Sequence, residues 1–322
     1  MDNCGEIYRY AAFGLEISSA IMMPELNEGV GSSVDVRIRC ADVPLAIHSP
    51  LEIEEDYQIG ENEFLLHVEG VASFYVKNGD QIIVQLCSQY DLCEVRLYLL
   101  GTAMGVLLMQ RGVLPIHGSA VVVEGRCIIF AGISGAGKST LAAALRKNGY
   151  ALLADDISAV IFDDNGLPWV QPGYPQQKLW QTSAALLSID TTTLRKVSPD
   201  IEKYAVPVLD NFWQQAIPLT AIYEIDVKPC DDITIKELKG MEKLTTIMDN
   251  AYRASLYPGL GLQTLHFQKS ANIVNQVQVF RLTRPEGVCL LDRQLSILVR
   301  HFTNCIKKHK RCIQTRKLRG GL

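Results

Sequence analysis

The chain has 322 residues, a net charge of −4, 48% hydrophobic residues and 20% charged residues. This apolar content is that of a packed globular protein and excludes intrinsic disorder as the main state. A single core rarely grows past about 250–300 residues, so the length favours two domains. The chain has 31 Lys and Arg residues and 35 Asp and Glu residues. The segment 301–322 contains seven basic residues and no acidic one, so the first 300 residues have a net charge of −11. The chain therefore lacks the overall basic balance of a nucleic-acid-binding protein.

The amino terminus does not indicate a secretory signal, because MDNCGEIYRY is polar and mixed in charge. The most apolar stretch, 97–110, has fourteen residues, too few for a helix across about 30 Å of hydrocarbon. It is predicted to be a buried core helix with Gly101 and Gly105 on a close-packing face. Nine cysteines without a CxxC pair argue against a zinc ribbon and favour reduced thiols. The expectation is a cytoplasmic protein.

The first third of the chain has the pattern of short strands. The run 34–39 alternates apolar and polar residues. Asn78-Gly79 stands between two apolar runs and is typical of a type I′ hairpin turn, because both turn positions must accept positive φ. We predict a β-rich N-terminal domain over 1–112 that ends in the apolar helix.

The second part, 113–322, has the pattern of an α/β domain, so that the whole chain is expected to be α/β, or α+β overall. The apolar run 127–131 leads into a glycine-rich turn, a helix closed by Gly149, and another apolar strand that ends at Asp155-Asp156. Strand, helix and strand in this order form a βαβ unit, which implies parallel pairing in a covered sheet. Helices are also predicted over 236–254 and 286–309, and a basic tail ends the chain.

The chemistry is concentrated in the glycine-rich turn. Residues 132–139, GISGAGKS, match the phosphate-binding pattern G-x-x-x-x-G-K-[ST] between a strand and a helix. Glycines let backbone N–H groups converge on phosphate oxygens, and the amino terminus of the helix adds positive potential. Lys138 supplies a charge to the β- and γ-phosphates, and Ser139 supplies a hydroxyl for Mg²⁺. The residues predicted to hold ATP are Gly132, Ser134, Gly135, Ala136, Gly137, Lys138, Ser139 and Thr140.

Two adjacent carboxylates end the next strand. Because the carboxyl ends of strands in open α/β sheets face the ligand crevice, Asp155 and Asp156 are expected near the bound phosphates. One carboxylate can hold Mg²⁺ while the other accepts a proton from an attacking hydroxyl. A pair that coordinates only metal and water, as in an ATPase, fits the same position equally well.

The order His117-Gly118, then 132–139, then a helix and Ala154-Asp155-Asp156 resembles that of HPr kinase/phosphorylase catalytic domains. The intervals, 21 residues from His117 to Lys138 and 17 from Lys138 to Asp155, are also similar. The resemblance covers 114–162 and implies a P-loop protein serine kinase of the HPr kinase C-terminal type. By it, Asp156 is the catalytic proton acceptor beside Lys138, Asp155 and Ser139 lie with the metal, and His117 tunes the acid–base group.

An E-x-R-G-x-G-type segment, which those enzymes carry after the acidic pair, is missing, so the resemblance leaves phosphorolysis and HPr recognition open. The whole layout is more similar to the HPr-kinase-like proteins of lasso-peptide gene clusters. The shared segments are LLMQRGVLPIHGSAV, GISGAGKSTLAAAL, LLADD, GYPQQKLW and RLTRP. This resemblance implies ATP-dependent phosphorylation of a serine near the carboxyl end of a precursor peptide.

Several side chains in the shared segments have two interpretations. Lys178 and Lys203 are candidates to neutralise the transferred phosphoryl group, although a loop lysine is more often a surface residue. Trp180, Tyr174 and Tyr204 fit a peptide groove or an adenine stack, and core packing is favoured over both.

The sequence therefore predicts a Mg-ATP-dependent kinase that acts on a serine hydroxyl of a peptide or small protein, with neither nucleic acid nor membrane as a partner. A homo-oligomer is left open. The basic tail fits a solvated helix end better than a dock for an acidic leader peptide. Two alternatives stand beside the kinase: an ATP-binding module that recruits a partner with little catalysis, and a kinase of a free small molecule such as serine.

Overall fold

The computed structural model describes residues 6–198, 201–287, 290–302 and 304–305. Over these ranges the protein is a mixed α/β structure with a nine-stranded, an eight-stranded and a three-stranded sheet, which confirms the mixed class predicted from the sequence. The basic tail after 305 and the end of the helix predicted over 286–309 lie outside the described residues.

The amino-terminal part of the chain forms the nine-stranded sheet. Its strands are β1 (Tyr8–Ala12), β2 (Leu15–Ser19), β3 (Asn27–Glu28), β4 (Val36–Cys40), β5 (Glu52–Ile53), β6 (Tyr57–Gly60), β7 (Glu63–Val68), β8 (Ala72–Lys77) and β9 (Gln81–Leu86). They lie in the order β3-β1-β2-β4-β9-β8-β7-β6-β5. Asn78 and Gly79 have φ values of 56° and 68°, as predicted. Because Lys77 pairs with Gln81, the hairpin loop is one residue longer than that of a type I′ turn.

The apolar stretch after β9 is one helical rod in the core. It consists of α1 (Leu92–Tyr98), a π-helical turn (Leu99–Ala103) and α2 (Met104–Gln110). The rod has 19 residues and is longer than predicted, because it includes a charged turn in which Arg96 is buried against Glu25. By length and composition the rod could cross a membrane. However, 72% of its apolar 18-residue stretch is buried inside the protein, as predicted for a core helix.

Gly101 and Gly105 form the predicted close-packing face of this rod. A Cβ atom on Gly105 would lie 2.7 Å from the ring of Tyr252, and one on Gly101 would lie 3.3 Å from the hydroxyl of the same tyrosine. The two glycines therefore let the rod approach an aromatic side chain of the second half of the chain.

The remaining strands form the other two sheets. They are β10 (Leu114–Val123), β11 (Arg126–Ala131), β12 (Ala151–Ala154), β13 (Ile157–Phe162), β14 (Pro168–Val170), β15 (Gln176–Trp180), β16 (Lys196–Ser198), β17 (Ile201–Pro207), β18 (Ile217–Val227), β19 (Thr234–Glu237) and β20 (Gln278–Arg284). The eight-stranded sheet has the order β11-β10-β13-β14-β18-β20-β19 with β12 also paired to β10, and the three-stranded sheet has the order β15-β17-β16.

The helices of this part are α3 (Lys138–Lys147), α4 (Gln181–Leu186), α5 (Gly240–Asp249), α6 (Leu256–Gly259) and α7 (Gln263–Gln276), followed by a helix over 291–302. The helix predicted over 236–254 is shorter because β19 takes its first residues. Helix α7 was not predicted, since its buried face includes the polar residues His266 and Ser270.

The pairing of the βαβ unit differs from the prediction. Both β11 and β12 run antiparallel to β10, so they are parallel to each other but are separated by β10. The parallel pairs are β11–β18 and β18–β20 instead. The sheet is therefore mixed, and β10, the strand that precedes the βαβ unit in the chain, lies between the two strands of that unit.

One hydrophobic core joins the two parts of the chain. It contains Ile17 and Phe74 of the nine-stranded sheet, Val106 of the rod, and Ile116 and Ile129 of the eight-stranded sheet. A second cluster packs α3 and the helix over 291–302 on the other face of the latter sheet. The domain boundary at 112/113 stays a prediction; the turn between α2 and β10 lies there.

Candidate active site

Three neighbouring strands bring the predicted motifs to one edge of the eight-stranded sheet. In the antiparallel pair β10–β11, Gly118 lies opposite Ala131, the residue that precedes the glycine-rich loop. In the pair β10–β13, His117 lies opposite Ile157, the residue that follows the acidic pair. The strand register alone therefore places the loop, His117 and the two aspartates side by side.

The loop has the backbone of a phosphate cradle. Gly132, Gly135 and Gly137 have φ values of 131°, 82° and 100°, in the region where side chains are disfavoured. A Cβ atom on Gly132 would lie 2.7 Å from the carbonyl oxygen of Ile225, whereas one on Gly135 would meet nothing within 4 Å. The loop is thus packed tightly against β18 at its start and open at its mouth.

Lys138, the first residue of α3, closes the loop from inside. Its Nζ atom donates hydrogen bonds to the carbonyl oxygens of Gly132 and Ile133, over 2.8 and 3.0 Å. The residue is buried, and this burial lowers the pKa of Lys138. The ammonium is therefore held at the loop mouth, where a bound phosphate would compete for it with the two carbonyl groups.

Replacing Gly132 by Ala is expected to impair nucleotide binding, because the methyl group would push against the backbone of β18 at the base of the loop. Gly149→Ala is the matched control, since Gly149 also has a positive φ (89°) but a Cβ atom there meets nothing within 4 Å. Both variants incur about 1–2 kcal/mol of backbone strain. Titration with a fluorescent ATP analogue should show weaker binding only in Gly132→Ala; equal affinities in the two variants would contradict this account of the loop.

Asp155 ties two strands to the site. It is buried, and its Oδ1 accepts a hydrogen bond of 2.6 Å from the hydroxyl of Ser119 on β10. Its Oδ2 accepts one of 2.9 Å from the backbone N–H of Lys178 on β15. Each carboxylate oxygen thus has a protein partner, and Asp155 holds the Lys178 backbone beside the acidic pair.

Asp156 is the carboxylate that faces the cavity. Its φ of 70° lies in the left-handed region, which costs a non-glycine residue about 1–2 kcal/mol. Its Oδ2 accepts a hydrogen bond of 2.9 Å from Nζ of Lys178, and its Oδ1 lies 3.4 Å from Nδ1 of His117. The strained backbone therefore turns this side chain out of the strand and into a cluster of nitrogen donors.

The charged side chains of this cluster stabilise one another in their ionised forms. Burial disfavours the ionised form of Asp156, but the charge and the hydrogen bond of Lys178 favour it and hold the pKa of Asp156 well below its usual range. In the same way, Asp156 outweighs the effect of burial and raises the pKa of Lys178. Burial and the nearby Lys138 lower the pKa of His117. At neutral pH the site therefore contains a carboxylate, two ammonium groups and a neutral imidazole.

The neutral imidazole of His117 has a defined tautomer. Its Nδ1 lies 3.1 Å from the carbonyl oxygen of Asp156, which can only accept, so that Nδ1 carries the proton. Its ring stands 5.8 Å from that of Tyr252, centroid to centroid. His117 is therefore held against Asp156 by the backbone and by an aromatic neighbour.

The remaining predicted side chains divide between the site and the core. Lys203 lies opposite Trp180 in the pair β15–β17, and the Nζ atom of Lys203 is 5.9 Å from the centre of the indole ring. The charge of Lys203 also helps to lower the pKa of Asp156. Trp180 is 43% exposed, whereas Tyr174 and Tyr204 are buried, as core packing predicted. Thr140 is directed to α4, with its Oγ1 2.7 Å from Oγ of Ser183.

A cavity of about 930 Å³ extends from the loop and contains a wall that the sequence motifs did not predict. His117, Ser134 and Asp156 line one side of it. The other side comes from β18, the end of α5 and β20 and is lined by Glu224, Asp226, Asp249, Asn250, Tyr252, Arg253 and Arg281. Arg281 pairs with Glu224 over 2.7 Å. The site is therefore a cleft between the phosphate loop and a charged wall.

Arg284 supports the loop from behind. Its Nε and Nη2 atoms donate hydrogen bonds of 3.3 and 3.1 Å to the carbonyl oxygen of Ala136. A Cβ atom on Gly137 would lie 3.6 Å from Nη2 of Arg284. The sequence does not indicate a role for the second arginine of RLTRP, Arg284. The parallel pairing of β20 with β18 brings it to the loop.

The residues predicted to hold Mg-ATP fit these groups chemically. Ser139 and the two aspartates offer hard oxygen donors, the ligands that Mg²⁺ prefers together with phosphate oxygens and water. A Cβ atom on Gly135 would meet nothing within 4 Å, so the loop is open to solvent at this position. Over the described ranges, no group of three or more His, Cys, Asp or Glu side chains is arranged to hold a metal ion.

No protein-family model and no curated protein matches the chain. Among solved structures, it is similar to an HPr(Ser) kinase/phosphatase from Coxiella burnetii, with 11% sequence identity over 62% of this chain and 97% of that chain. The TM-score of this match is 0.33.

Proposed function

We propose that the protein is a Mg-ATP-dependent kinase that transfers the γ-phosphoryl group to a serine hydroxyl of a peptide or small protein. The observation that carries this proposal is the position of Asp156. Its carboxylate lines the same cavity as Gly132, Ile133 and Ser134 of the phosphate loop and is ion-paired to Lys178. A bound γ-phosphate and an acceptor hydroxyl would meet beside it.

In this proposal the loop supplies the nucleotide contacts. Backbone N–H groups of 132–139 and the amino terminus of α3 bind the phosphates, and Lys138 exchanges its two carbonyl partners for phosphate oxygens. Mg²⁺ bound with ATP supplies charge neutralisation between the β- and γ-phosphates, with Ser139 and Asp155 as its candidate protein ligands. Arg284 keeps the loop backbone in place through Ala136.

Asp156 acts as the general base. It accepts the hydroxyl proton while the acceptor oxygen bonds to the γ-phosphorus and the bond from that phosphorus to the bridging oxygen breaks, which releases ADP. A carboxylate with a very low pKa is a weak base. As negative charge develops on the transferred group, Lys178 can shift its hydrogen bond to that group, which raises the basicity of Asp156 at the moment of transfer. Lys203 adds charge from the neighbouring strand.

The acceptor is proposed to be a serine near the carboxyl end of a lasso-type precursor peptide, and a cytoplasmic location is proposed with it. The test is to incubate the protein with ATP, Mg²⁺ and a panel of peptides that end in serine, together with free serine, and to follow intact masses. A gain of one phosphate on a peptide supports the proposal. A gain on free serine alone would make the protein a small-molecule kinase, and tight ATP binding without any modified acceptor would make it a binding module.

A further inference from the structure

A second cavity, which shares no lining residue with the first, reaches the catalytic cluster at Lys178. It has a volume of about 430 Å³ and lies between the turn after β2, the helix α1 and the three-stranded sheet. This volume is within the range of ligand pockets, roughly 300–1,000 Å³. A neighbouring cavity of about 400 Å³ shares Cys93, Arg195, Lys196 and Val197 with it, so that the two form one groove. We call it the α1 groove.

The inner end of the α1 groove is Lys178. This side chain lines the groove, while its ammonium bonds Asp156, which lines the nucleotide cavity. Tyr174, beside it in the groove wall, is also buried, and its burial raises its pKa to about 12. A ligand in the groove would therefore end next to the ion pair that carries the proposed chemistry.

The walls of the inner groove are positively charged. Arg96 is 5% exposed and uses its Nε to bond Glu25 over 2.7 Å. Arg195 is exposed, and its Nη1 donates to the thiol of Cys93 over 3.0 Å; within the described part of the chain it has no salt bridge. The groove as a whole is lined by four basic side chains, Arg96, Lys178, Arg195 and Lys196, and by three acidic ones, Glu25, Asp91 and Glu94. Lys196 is paired with Glu202 outside the groove lining, which leaves Arg195 as the basic side chain available to a ligand. Apolar surface from Leu97, Leu100 and other side chains lies between the charges.

We infer that the α1 groove binds the acceptor as an extended peptide segment whose carboxylate is held by Arg195 and Arg96, with the acceptor hydroxyl next to Lys178 and Asp156. This inference deepens the proposed function and rests on it. Charge complementarity selects a carboxylate-bearing segment, since a guanidinium binds a carboxylate with two parallel hydrogen bonds. The apolar patches between the charges suit the side chains of a peptide better than a hydrophilic metabolite.

The variant Arg195→Glu tests peptide binding in the groove, and Arg300→Glu is its matched control. Arg300 is an exposed arginine on the helix over 291–302 and does not line the groove. The probes are serine-ended octapeptides with a fluorescent amino-terminal label, each as the free acid and as the carboxyl-terminal amide. Fluorescence anisotropy without ATP should show binding of the free acid, weakened about 10- to 100-fold by Arg195→Glu, the loss of a charged hydrogen bond. Arg300→Glu should bind like the wild type.

Hydrogen exchange locates the peptide independently of chemistry. Bound free acid should protect amides of 193–198 and 92–97, in the two walls of the groove. Four results would contradict peptide binding in the groove. They are wild-type affinity of the Arg195→Glu variant for the free acid, equal affinity for the free acid and the amide, no binding of any probe, and protection of amides elsewhere in the chain. Failure of the kinase is a separate result: peptide that binds and protects the groove but gains no phosphate with Mg-ATP would contradict the proposed function only.

Discussion

Asp156→Asn is expected to lower phosphate transfer by about 10²–10⁴-fold, the usual contribution of a positioned general base. The amide keeps the shape of the side chain and can still accept a hydrogen bond from Lys178, but it cannot take the hydroxyl proton. ATP binding should persist, because the loop and Lys138 contact the phosphates without this carboxylate. Transfer is measured by single-turnover phosphate incorporation, and ATP affinity by titration of the same preparation.

The control for this variant is Asp164→Asn, which removes an exposed carboxylate from the turn after β13 and should transfer phosphate at the wild-type rate. Asp156→Asn also leaves the buried ammonium of Lys178 without its counter-charge, and breaking a buried pair in this way costs about 3–5 kcal/mol in typical cases. A urea titration therefore accompanies the assay and shows that the variant is folded. A folded variant that transfers phosphate at the normal rate would remove Asp156 from the role of base.

The parts of this site that could be predicted from the sequence are those made by consecutive residues. The loop over 132–139 is one turn between a strand and a helix, and its glycines have the positive φ values that the motif requires. Asp156 is prominent for the same reason, since it ends the next strand. Its partners come from other places in the chain, His117 from 39 residues earlier and Lys178 from 22 residues later.

The sheet topology explains why the rest was not predictable. A strand–helix–strand pattern shows that β11 and β12 run in the same direction, but it contains no information on which strand lies between them. Here β10 lies there, and this insertion places His117 between the loop and the acidic pair. The second wall of the cleft has a similar origin: Glu224 and Arg281 face each other only because β18 and β20 pair in parallel.

The division of labour between the two aspartates also becomes clearer from these long-range contacts. Asp155 and Asp156 form the connection between β12 and β13, and the positive φ of Asp156 directs its carboxylate away from that of Asp155. Asp155 turns inward and fixes Ser119 and the backbone of Lys178. Asp156 turns outward and receives the ammonium of the same lysine. Asp155 thus positions Lys178 through a hydrogen bond from the main chain of this lysine, and the side-chain ammonium of Lys178 balances the charge of Asp156.

Lys178→Met is expected to move the acid limb of the pH–rate profile to higher pH by about 1–3 units, the usual effect of an opposite charge at this distance. Lys178 holds the pKa of Asp156 far below its usual range, so wild-type Asp156 stays ionised through mildly acidic solution. Without the ammonium, burial still disfavours the carboxylate and the pKa rises. The transfer rate at neutral pH should also fall, because a cation beside the developing phosphoryl charge is lost. The profile is measured as kcat/KM from pH 3 to 8, and at the acid end of this range the rate of the variant should fall while that of the wild type stays level.

The same substitution has a defined effect on stability. In the wild type, the folded-state pKa of Asp156 lies below its unfolded value, so its ionisation stabilises the fold above the unfolded pKa of about 3.9. That contribution is lost as pH falls through the folded-state pKa, and Lys178→Met should lose most of it, about 1.4 kcal/mol for each unit by which the pKa rises. Urea titrations at pH 3, 5 and 7 should therefore show the full difference in stability between variant and wild type at pH 5 and 7 and a smaller difference at pH 3.

Two further variants decide between an electrostatic and a purely structural role for Lys178. Lys178→Arg keeps the charge and should keep the acid limb near its wild-type position, even if transfer slows because the planar guanidinium fits the phosphoryl group differently. Lys236→Met removes an exposed lysine that pairs with Glu242 and should change neither the profile nor the rate. If Lys178→Met leaves the acid limb in place, the ammonium does not set the charge of Asp156, and another group at the site must do so.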